Sequence, residues 1–280
     1  MIDPRQLTRL IENALAEDVN TGDITTQSTV PDGTMIEGRF LAKASGVLCG
    51  TTVAKAVFAY VDPEIRLDFH FQDGDAVQSG DIIAHISGRA VPVLTGERLA
   101  LNFLQRMSGI ATRTREAADN VKGFSVRILD TRKTTPGLRM LEKYAVRVGG
   151  GYNHRFTLSD GVLIKDNHIQ AAGDITQAIS AAREAVPHTL KIEVETETLD
   201  QVREALSAGA DIIMLDNMSM EDMKEALSII GGRAKTECSG NVTLQNLARL
   251  RDLGVDFVSS GAVTHSAPIL DISMKNLQPL

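Results

Sequence analysis

The second half of the chain alternates short apolar runs with amphipathic segments, and this alternation constrains the fold more than any other feature. The apolar runs after Gly123 are SVRILDT, GVLIKDN, LKIEVET, DIIMLDN, AKTECSGNV and VDFVSSGA. Segments of helical periodicity separate most of them, which predicts parallel strands in a β/α barrel. A full eight-unit barrel needs about 250 residues, and the segment from Gly123 to Ala262 is far shorter. We therefore expect an incomplete barrel of six or seven strands.

The first half of the chain mixes helices with strands that are separated by turns. Apolar residues near the start recur at helical spacing and predict a first helix, namely Leu7, Leu10, Ile11, Ala14 and Leu15. The polar segment EDVNTGDITTQSTVPDG predicts a loop. Later runs predict strands, namely MIEGRFLAKASGVLCG, EIRLDFHF and the hairpin-like QDGDAVQSGDIIAHISG. The tail HSAPILDISMKNL is expected to return to this half of the chain.

A long helix is expected to start near Thr95. Its predicted core stripe is Leu99, Phe103, Met107 and Ile110. Gly109 lies inside this helix, where glycine costs about 1 kcal/mol relative to alanine. Its presence suggests that something approaches the helix closely there. Arg106 shares that face, and from the residues alone it is an ordinary surface arginine.

Composition excludes several classes of protein. The 280 residues suffice for two modest domains or for one barrel with an addition, and 43% hydrophobic residues can build a sizeable core. A net charge of -7 argues against nucleic-acid and anionic-membrane partners. The two cysteines, Cys49 and Cys238, suit a reducing cytoplasm without a disulfide framework. We expect no signal peptide and no membrane span, and neither a P-loop nor a Rossmann glycine motif occurs.

The apolar runs of the second half end in polar residues. These ends are Asp130-Thr131-Arg132-Lys133, Lys165-Asp166-Asn167-His168, Glu195, Asp216-Asn217, Ser239-Gly240-Asn241 and Ser260-Gly261-Ala262. Any single polar ending is also what a solvated loop produces. Six in series predict an active site, because β/α barrels build theirs at the carboxyl ends of the strands.

A cationic stretch lies within this acidic chain. Between Thr131 and Lys165 the basic residues are Arg132, Lys133, Arg139, Lys143, Arg147, His154, Arg155 and Lys165, against the acids Glu142 and Asp160. Guanidinium and ammonium groups bind carboxylates and phosphates, so a polyanionic small molecule is the expected ligand. Lys143 and Arg147 are interpreted as surface charges of the helix LRMLEKYAVRVG. Arg139 stays open, and so does His154, which is either functional or a structural histidine bonded to the backbone.

Two carboxylates and two Ser-Gly turns complete the predicted site. Glu195 and Asp216 end adjacent strands, where they can coordinate Mg²⁺, bind ribose hydroxyls, or form an ion pair with Lys165. The segments CSGNV and SSGAVTH place Ser-Gly pairs where a strand should turn into a helix. Such turns expose backbone N–H groups that bind phosphate, and barrels often hold phosphate after their last two strands.

These residues closely resemble one family, quinolinate phosphoribosyltransferase, also called carboxylating nicotinate-nucleotide pyrophosphorylase. The string DTRKTTPGLRMLEKYAVRVGGGYNHRFTLSDGVLIKDNHI is similar to its signature, and the resemblance extends to EDVNTGDITT, ERLALNFLQRMSGIAT, KIEVET, IIMLDN and SSGAVTHSAPILDIS. It implies an N-terminal α/β sandwich domain over residues 1–110, joined by the tail 268–280. It also implies an incomplete α/β barrel as catalytic domain over 111–267, and a homodimer or an assembly of dimers.

The resemblance also implies roles for individual residues. The residues that would hold the quinolinate carboxylates and the substrate phosphates are Thr131, Arg132, Lys133, His154, Arg155 and Lys165. Glu195 and Asp216 would meet ribose hydroxyls, while Mg²⁺ accompanies the pyrophosphate and no organic cofactor takes part. The implied cradle for the 5′-phosphate is Ser239, Gly240, Asn241, Ser260, Gly261 and Ala262. Arg106 would enter the site from the neighbouring subunit. Many relatives have glycine in place of Asn241, but asparagine also tolerates positive φ.

The implied reaction transfers the phosphoribosyl group of phosphoribosyl pyrophosphate to quinolinate with decarboxylation, in NAD biosynthesis. Three alternatives remain at this point. One is a relative associated with molybdenum transport, although KDNH and RKTTPGLR favour the quinolinate enzyme. Another is an aldolase-like barrel that uses Lys133 or Lys165 as a Schiff base. The third is a sugar-phosphate sensor that binds without turnover.

Overall fold

A computed structural model describes residues 2–240, 242 and 244–280 of the chain. They form two compact units. Unit 1 comprises Met1–Arg115, Thr135–Gly150 and Ser266–Leu280, and unit 2 comprises Glu116–Thr134 and Gly151–His265. Each unit therefore takes in more than one stretch of the chain.

Helices and strands are numbered in chain order. The helices are α1 (Pro4–Asp18), α2 (Ile24–Thr29), α3 (Thr51–Val61), α4 (Ala90–Asn120), α5 (Arg139–Val148), α6 (Asp166–Ala172), α7 (Ile175–Ala185), α8 (Leu199–Ser207), α9 (Met220–Ile230), α10 (Leu244–Arg251) and α11 (Ala262–His265). The strands are β1 (Met35–Ala42), β2 (Gly46–Val47), β3 (Arg66–Phe69), β4 (Ala76–Val77), β5 (Ile82–Arg89), β6 (Arg127–Leu129), β7 (Val162–Ile164), β8 (Ile192–Thr196), β9 (Ile212–Asp216), β10 (Lys235–Ser239), β11 (Phe257–Ser259) and β12 (Ile272–Pro279).

Unit 1 contains a four-stranded antiparallel sheet in the order β12-β1-β5-β3. Alternate residues of β1, among them Ile36 and Phe40, are buried, as a sheet with one covered face requires. The C-terminal strand β12 pairs with β1, with Phe40 opposite Met274. The tail of the chain thus completes the sheet that its first half begins.

Two predictions for unit 1 are wrong in detail. The segment expected to form a hairpin does not pair with itself, because β4 pairs with β2 while β5 pairs with β1 and β3. The polar segment expected to be a loop contains α2. The Asp23 carboxylate caps α2 by accepting from the backbone N–H of Thr26 at 3.0 Å, so a local side-chain bond starts a helix that hydrophobic periodicity does not reveal.

Helix α4 confirms the predicted core stripe and explains its glycine. Leu99, Phe103, Met107 and Ile110 are all buried, and the helix begins at Ala90, earlier than expected. A Cβ at position 109 would lie 1.9 Å from the carbonyl oxygen of Pro268. The tail therefore passes directly over Gly109, which is the close approach that the sequence suggested.

Unit 2 is built on a six-stranded parallel sheet in the order β6-β11-β10-β9-β8-β7. The strands β6 and β7 follow each other in the chain yet lie at opposite edges, so the barrel is incomplete and has six strands, as predicted. Side chains such as Val194, Leu215 and Val258 form a buried core with the helices between the strands. Tyr152 bridges to Leu129 beside the edge strand β6. Within the described residues, no helix combines the length and the apolar character needed to cross a membrane.

Gly109→Ala should strongly destabilise unit 1. The added methyl group would overlap the backbone of the tail, and overpacking of this kind costs about 1–3 kcal/mol or more. Chemical denaturation should show the loss as a lower midpoint. Asn102→Ala is the matched control, because Asn102 lies exposed on the same helix, and it should leave the midpoint nearly unchanged. Equal midpoints for the two variants would contradict the close approach.

Candidate active site

The carboxyl ends of the unit 2 strands surround a cavity of about 290 Å³. This cavity, called the cationic pocket below, is lined by Thr131, Arg132, Lys133, His154, Arg155, Leu163, Lys165, Met214, Glu237, Ser239 and Ser259. Parallel strands end at one edge of their sheet, so residues far apart in sequence meet there. The structure thus brings together the basic residues that the sequence predicts for the site in this unit.

The two guanidinium groups of the pocket influence each other. Arg155 is partly buried and donates from Nη1 to the carbonyl oxygen of Gly161 at 3.0 Å. Burial first, and then the positive charge of Arg132, lowers the pKa of Arg155. Arginine nevertheless remains protonated at physiological pH. An anion bound beside both side chains would be stabilised by two charges that otherwise repel each other.

A buried carboxylate positions the loop that carries His154 and Arg155. Asp130 follows β6, has no exposed surface, and accepts from the backbone N–H of His154 at 2.9 Å and from Nδ2 of Asn153 at 2.6 Å. The backbone N–H of Asp130 donates in turn to the carbonyl of Tyr152 at 3.1 Å. The loop is therefore fixed to the end of β6 by the residue that follows this strand.

His154 contacts polar groups through both ring nitrogens. Its Nδ1 accepts from the backbone N–H of Arg155 at 2.7 Å, and its Nε2 lies 3.0 Å from Oε2 of Glu193 and 3.7 Å from Oε1 of Glu237. Sequence reasoning missed both glutamates. The available signal was their spacing: Glu193 is two residues before Glu195 on β8, and side chains two apart on a strand point to the same face.

The predicted carboxylates take different partners. Lys165 forms an ion pair with Glu195 through its Nζ and the Oε2 of the glutamate, which is one of the arrangements that the sequence left open. Asp216 accepts from the side-chain amide of Asn217 at 2.8 Å. Asp216 is the last residue of β9, as predicted, whereas Glu195 is the next-to-last residue of the neighbouring strand β8, which ends at Thr196.

The Ser-Gly turns lie at the ends of β10 and β11. Gly240 has φ +83°, and a Cβ there would lie 2.2 Å from Oδ1 of Asn217, so only glycine fits. At the second turn the backbone N–H of Ser260 donates to the carbonyl of Leu129 at 3.0 Å, and α11 begins at Ala262 after Gly261. Asn241 lies outside the described residues.

Other basic residues lie in unit 1. Arg106 donates from Nε and Nη2 to Oε1 of Glu142, at 3.1 and 2.8 Å, and from Nη1 to the carbonyl of Ala267 at 3.0 Å. Lys143 is only 1% exposed, so its interpretation as a surface charge is wrong. The helix α5 buries consecutive positions including 141, 142 and 143, rather than one narrow stripe. Arg147 on the same helix is exposed, as predicted.

Two protein-family models together match nearly the whole chain. The model of the quinolinate phosphoribosyl transferase C-terminal domain matches residues 110–275, and that of the N-terminal domain matches residues 23–108. The two matches follow each other along the chain. They cover most of both units.

Individual relatives match along most of their length. The chain is 47% identical over 269 residues to the "Probable nicotinate-nucleotide pyrophosphorylase (carboxylating)" of Bacillus subtilis (strain 168), covering 96% of this chain and 93% of that protein. It is 44% identical over 288 residues to the chloroplastic carboxylating nicotinate-nucleotide pyrophosphorylase of Arabidopsis thaliana, covering 96% and 82%. A crystal structure of NadC from Streptococcus pyogenes is similar with a TM-score of 0.95 and 46% identity, covering 100% and 99%.

Asp130→Asn should lower the free energy of unfolding by about 1–3 kcal/mol, because one of the two donors to this buried carboxylate would then face an amide NH₂ group instead of an acceptor. Denaturant titration of the purified variant measures this loss. Asp119→Asn is the control, since Asp119 is exposed on α4, and it should change the free energy by no more than about 0.5 kcal/mol. A stable Asp130→Asn variant would show that the loop does not depend on this carboxylate.

Proposed function

The chain belongs to the quinolinate phosphoribosyltransferase family, and we propose that its cationic pocket is where quinolinate and phosphoribosyl pyrophosphate react. The reaction transfers the phosphoribosyl group to quinolinate and gives nicotinate mononucleotide, pyrophosphate and carbon dioxide, a step of NAD biosynthesis. The observation that carries the assignment to this pocket is the convergence of its cations at the carboxyl ends of the barrel strands. A dicarboxylate is the ligand such a charge distribution favours.

Quinolinate is proposed to bind with its carboxylates against the basic side chains. Arg132 and Arg155 have planar guanidinium groups that can donate paired N–H hydrogen bonds to carboxylate oxygens, and Lys165 adds a compact charge. Lys133 follows on the same loop, where the side chain of Thr131 accepts from its backbone N–H at 3.0 Å. These cations together neutralise the two negative charges of the substrate.

Phosphoribosyl pyrophosphate is proposed to lie across the ends of the later strands. Glu195 and Asp216 would bind ribose hydroxyls, because ionised carboxylates accept from hydroxyl groups. The turns at the ends of β10 and β11 would hold the 5′-phosphate through backbone N–H groups other than that of Ser260, which donates to the carbonyl of Leu129. The residues proposed for this cradle are Ser239, Gly240, Asn241, Ser260, Gly261 and Ala262. Mg²⁺ would arrive with the pyrophosphate of the substrate, whose negative charge it neutralises.

The mechanism follows from this arrangement of charge. The pyridine nitrogen uses its lone pair to form a bond to the ribose carbon, while the carbon–oxygen bond to pyrophosphate breaks and pyrophosphate keeps the electron pair. Glu195 and Asp216 stabilise the cationic character of the sugar, and Lys133 and Lys165 stabilise the departing anion. The quaternised ring then accepts the electrons left when the neighbouring carboxylate departs as carbon dioxide, and that ring carbon takes up a proton. The protein mainly positions groups and neutralises charge.

The structure disfavours a Schiff-base reaction at Lys165. Its ammonium group is held by the Glu195 carboxylate, and an ammonium in an ion pair has no free electron pair for attack on a carbonyl. Lysine nucleophiles need the opposite environment, one that lowers their pKa. This observation argues against Lys165 as the Schiff-base lysine of an aldolase-like reaction.

The working form is proposed to be a homodimer or an assembly of dimers in the cytoplasm, with no nucleic acid or membrane as partner. Cys49 and Cys238 are both buried and free, which is compatible with a reducing compartment. That Arg106 enters the site of a neighbouring subunit stays a prediction. In its own chain the guanidinium is paired with Glu142, so such a role would require this ion pair to be exchanged or shared.

Purified protein with quinolinate, phosphoribosyl pyrophosphate and Mg²⁺ should release pyrophosphate and carbon dioxide in equal amounts. Nicotinate lacks one carboxylate and leaves cations of the pocket uncompensated, which should lower kcat/KM at least roughly tenfold. Steady-state kinetics with each substrate measures the ratio. Equal efficiencies would contradict the proposed carboxylate contacts, and no release by folded protein would reject the function.

Arg155→Ala should lower kcat/KM for quinolinate about 10²–10³-fold, the usual effect of losing a charged group from an active site. Lys224→Ala is the matched control, because Lys224 is exposed on α9, and it should behave as wild type. Circular dichroism of both variants checks their folding. A fully active Arg155→Ala variant would remove Arg155 from the site.

A further inference from the structure

A cluster of three titratable groups lies beneath the cationic pocket. One side-chain atom each from His154, Glu193 and Glu237 lies within 4.8 Å of the other two. Glu193 is 4% exposed and Glu237 is 1% exposed. The mechanism above gives neither glutamate a role, and two ionised carboxylates this close and this buried would repel each other strongly.

Two oxygen atoms of the cluster lack hydrogen-bond partners. The Oε1 atoms of Glu193 and Glu237 are both buried, and neither has a hydrogen-bond partner among the described residues. A buried acceptor without a donor is costly, and native proteins rarely leave one. A single proton between the two carboxyl groups would satisfy one oxygen as donor and the other as acceptor.

The hydrogen bonds of His154 distinguish a proton from a metal ion. Its Nδ1 already accepts the backbone N–H of Arg155 at 2.7 Å, so the neutral ring carries its own hydrogen on Nε2. That hydrogen points to Glu193 at 3.0 Å. A metal ion would need the lone pair of Nε2, which is absent in this tautomer. The cluster is therefore suited to a proton.

We propose that Glu193 and Glu237 share one proton, and that this pair acts as a positioning device for the quinolinate pocket. The pair receives the Nε2 hydrogen of His154 and so fixes the ring whose Nδ1 holds the backbone of Arg155. With one shared proton the pair carries one negative charge instead of two, so it attracts the nearby guanidinium of Arg155 and repels the substrate less than two ionised carboxylates would. This inference rests on the proposed function of the pocket.

The charges around the pair set the direction of its pH dependence. Burial, followed by the charge of Glu193, raises the pKa of Glu237 to about 8. The proton is therefore present at neutral pH and lost as the pH rises through that value. Its loss adds a negative charge beside the quinolinate carboxylates, which weakens their binding.

Other charged groups face the same space from neighbouring elements. The pocket side carries Arg132, Lys133, Arg155 and Lys165. A second cavity of about 270 Å³ opens at the amino ends of the strands, and besides the cluster itself its charged residues are Arg127, Arg155, Asp160 and Lys191. Both cavities are lined by His154, Arg155 and Glu237.

Glu237→Gln tests the proposal, because glutamine has nearly the same shape, donates like the protonated acid, and cannot titrate. The KM for quinolinate should be measured at saturating phosphoribosyl pyrophosphate between pH 7 and pH 9. In the wild type KM should rise with pH by up to roughly tenfold, the limit that applies if only the protonated form binds quinolinate, while kcat changes less. In Glu237→Gln the rise should vanish. Glu197→Gln, at an exposed position near the end of β8, should keep the wild-type profile.

Several outcomes would overturn the proposal. One is a wild-type rise in KM that persists in Glu237→Gln, and another is a wild-type KM without any rise. If that variant fails to fold, infrared difference spectra of the wild type between pH 7 and pH 9 give the answer, since they should show the loss of a protonated carboxyl band. Absence of the band, or a metal ion retained at one per chain by purified protein and lost in His154→Ala, would also refute it. The infrared result does not depend on turnover, so it separates this inference from the proposed function.

Discussion

Positive charge is concentrated at one end of the unit 2 barrel. The other groups of the site are placed so that they bind or partly neutralise these cations. The guanidinium groups of Arg132 and Arg155 are close enough for one to lower the pKa of the other. Carboxylates offset this repulsion at several positions. Asp130 holds the backbone of the loop, Glu195 pairs with Lys165, and Glu193 approaches His154. The pocket therefore keeps a cationic lining, while the neighbouring acidic residues bind the loop backbone, Lys165 and His154.

A chain with a net charge of -7 can still bind an anionic substrate, because the cations of the pocket are local. The overall charge sets solubility and long-range attraction, but binding depends on the few groups within contact distance. Parallel strands supply those groups in register, because each strand ends beside its neighbours. Substrate binding therefore depends on where the strands end more than on overall composition.

The sequence predicts the parts of the fold that rest on periodicity. All six barrel strands follow from apolar runs, and the buried stripe of α4 follows from helical spacing. Features that rest on individual contacts were missed. The cap of α2 by Asp23 and the pairing of β4 with β2 depend on local bonds and on the order of strands, which periodicity does not encode.

In the candidate site, too, some residues can be predicted from the sequence pattern and others depend on individual contacts. The polar strand ends reveal most of the cations and acids of the pocket, because they interrupt apolar runs. Glu193 and Glu237 lie within strands, between buried neighbours, and look like surface positions until the barrel interior is known. Lys143 was misjudged for the opposite reason, since a lysine in an amphipathic helix is usually exposed. Whether such side chains are buried or exposed depends on tertiary packing, which the sequence pattern does not show.

A crystal structure with bound quinolinate would test the central claim most directly. The pyridine dicarboxylate should lie in the cationic pocket, with carboxylate oxygens within hydrogen-bond distance of Arg132 and Arg155 and the ring nitrogen turned towards Glu195 and Asp216. Quinolinate bound elsewhere, or bound in this pocket with its carboxylates away from both guanidinium groups, would contradict it.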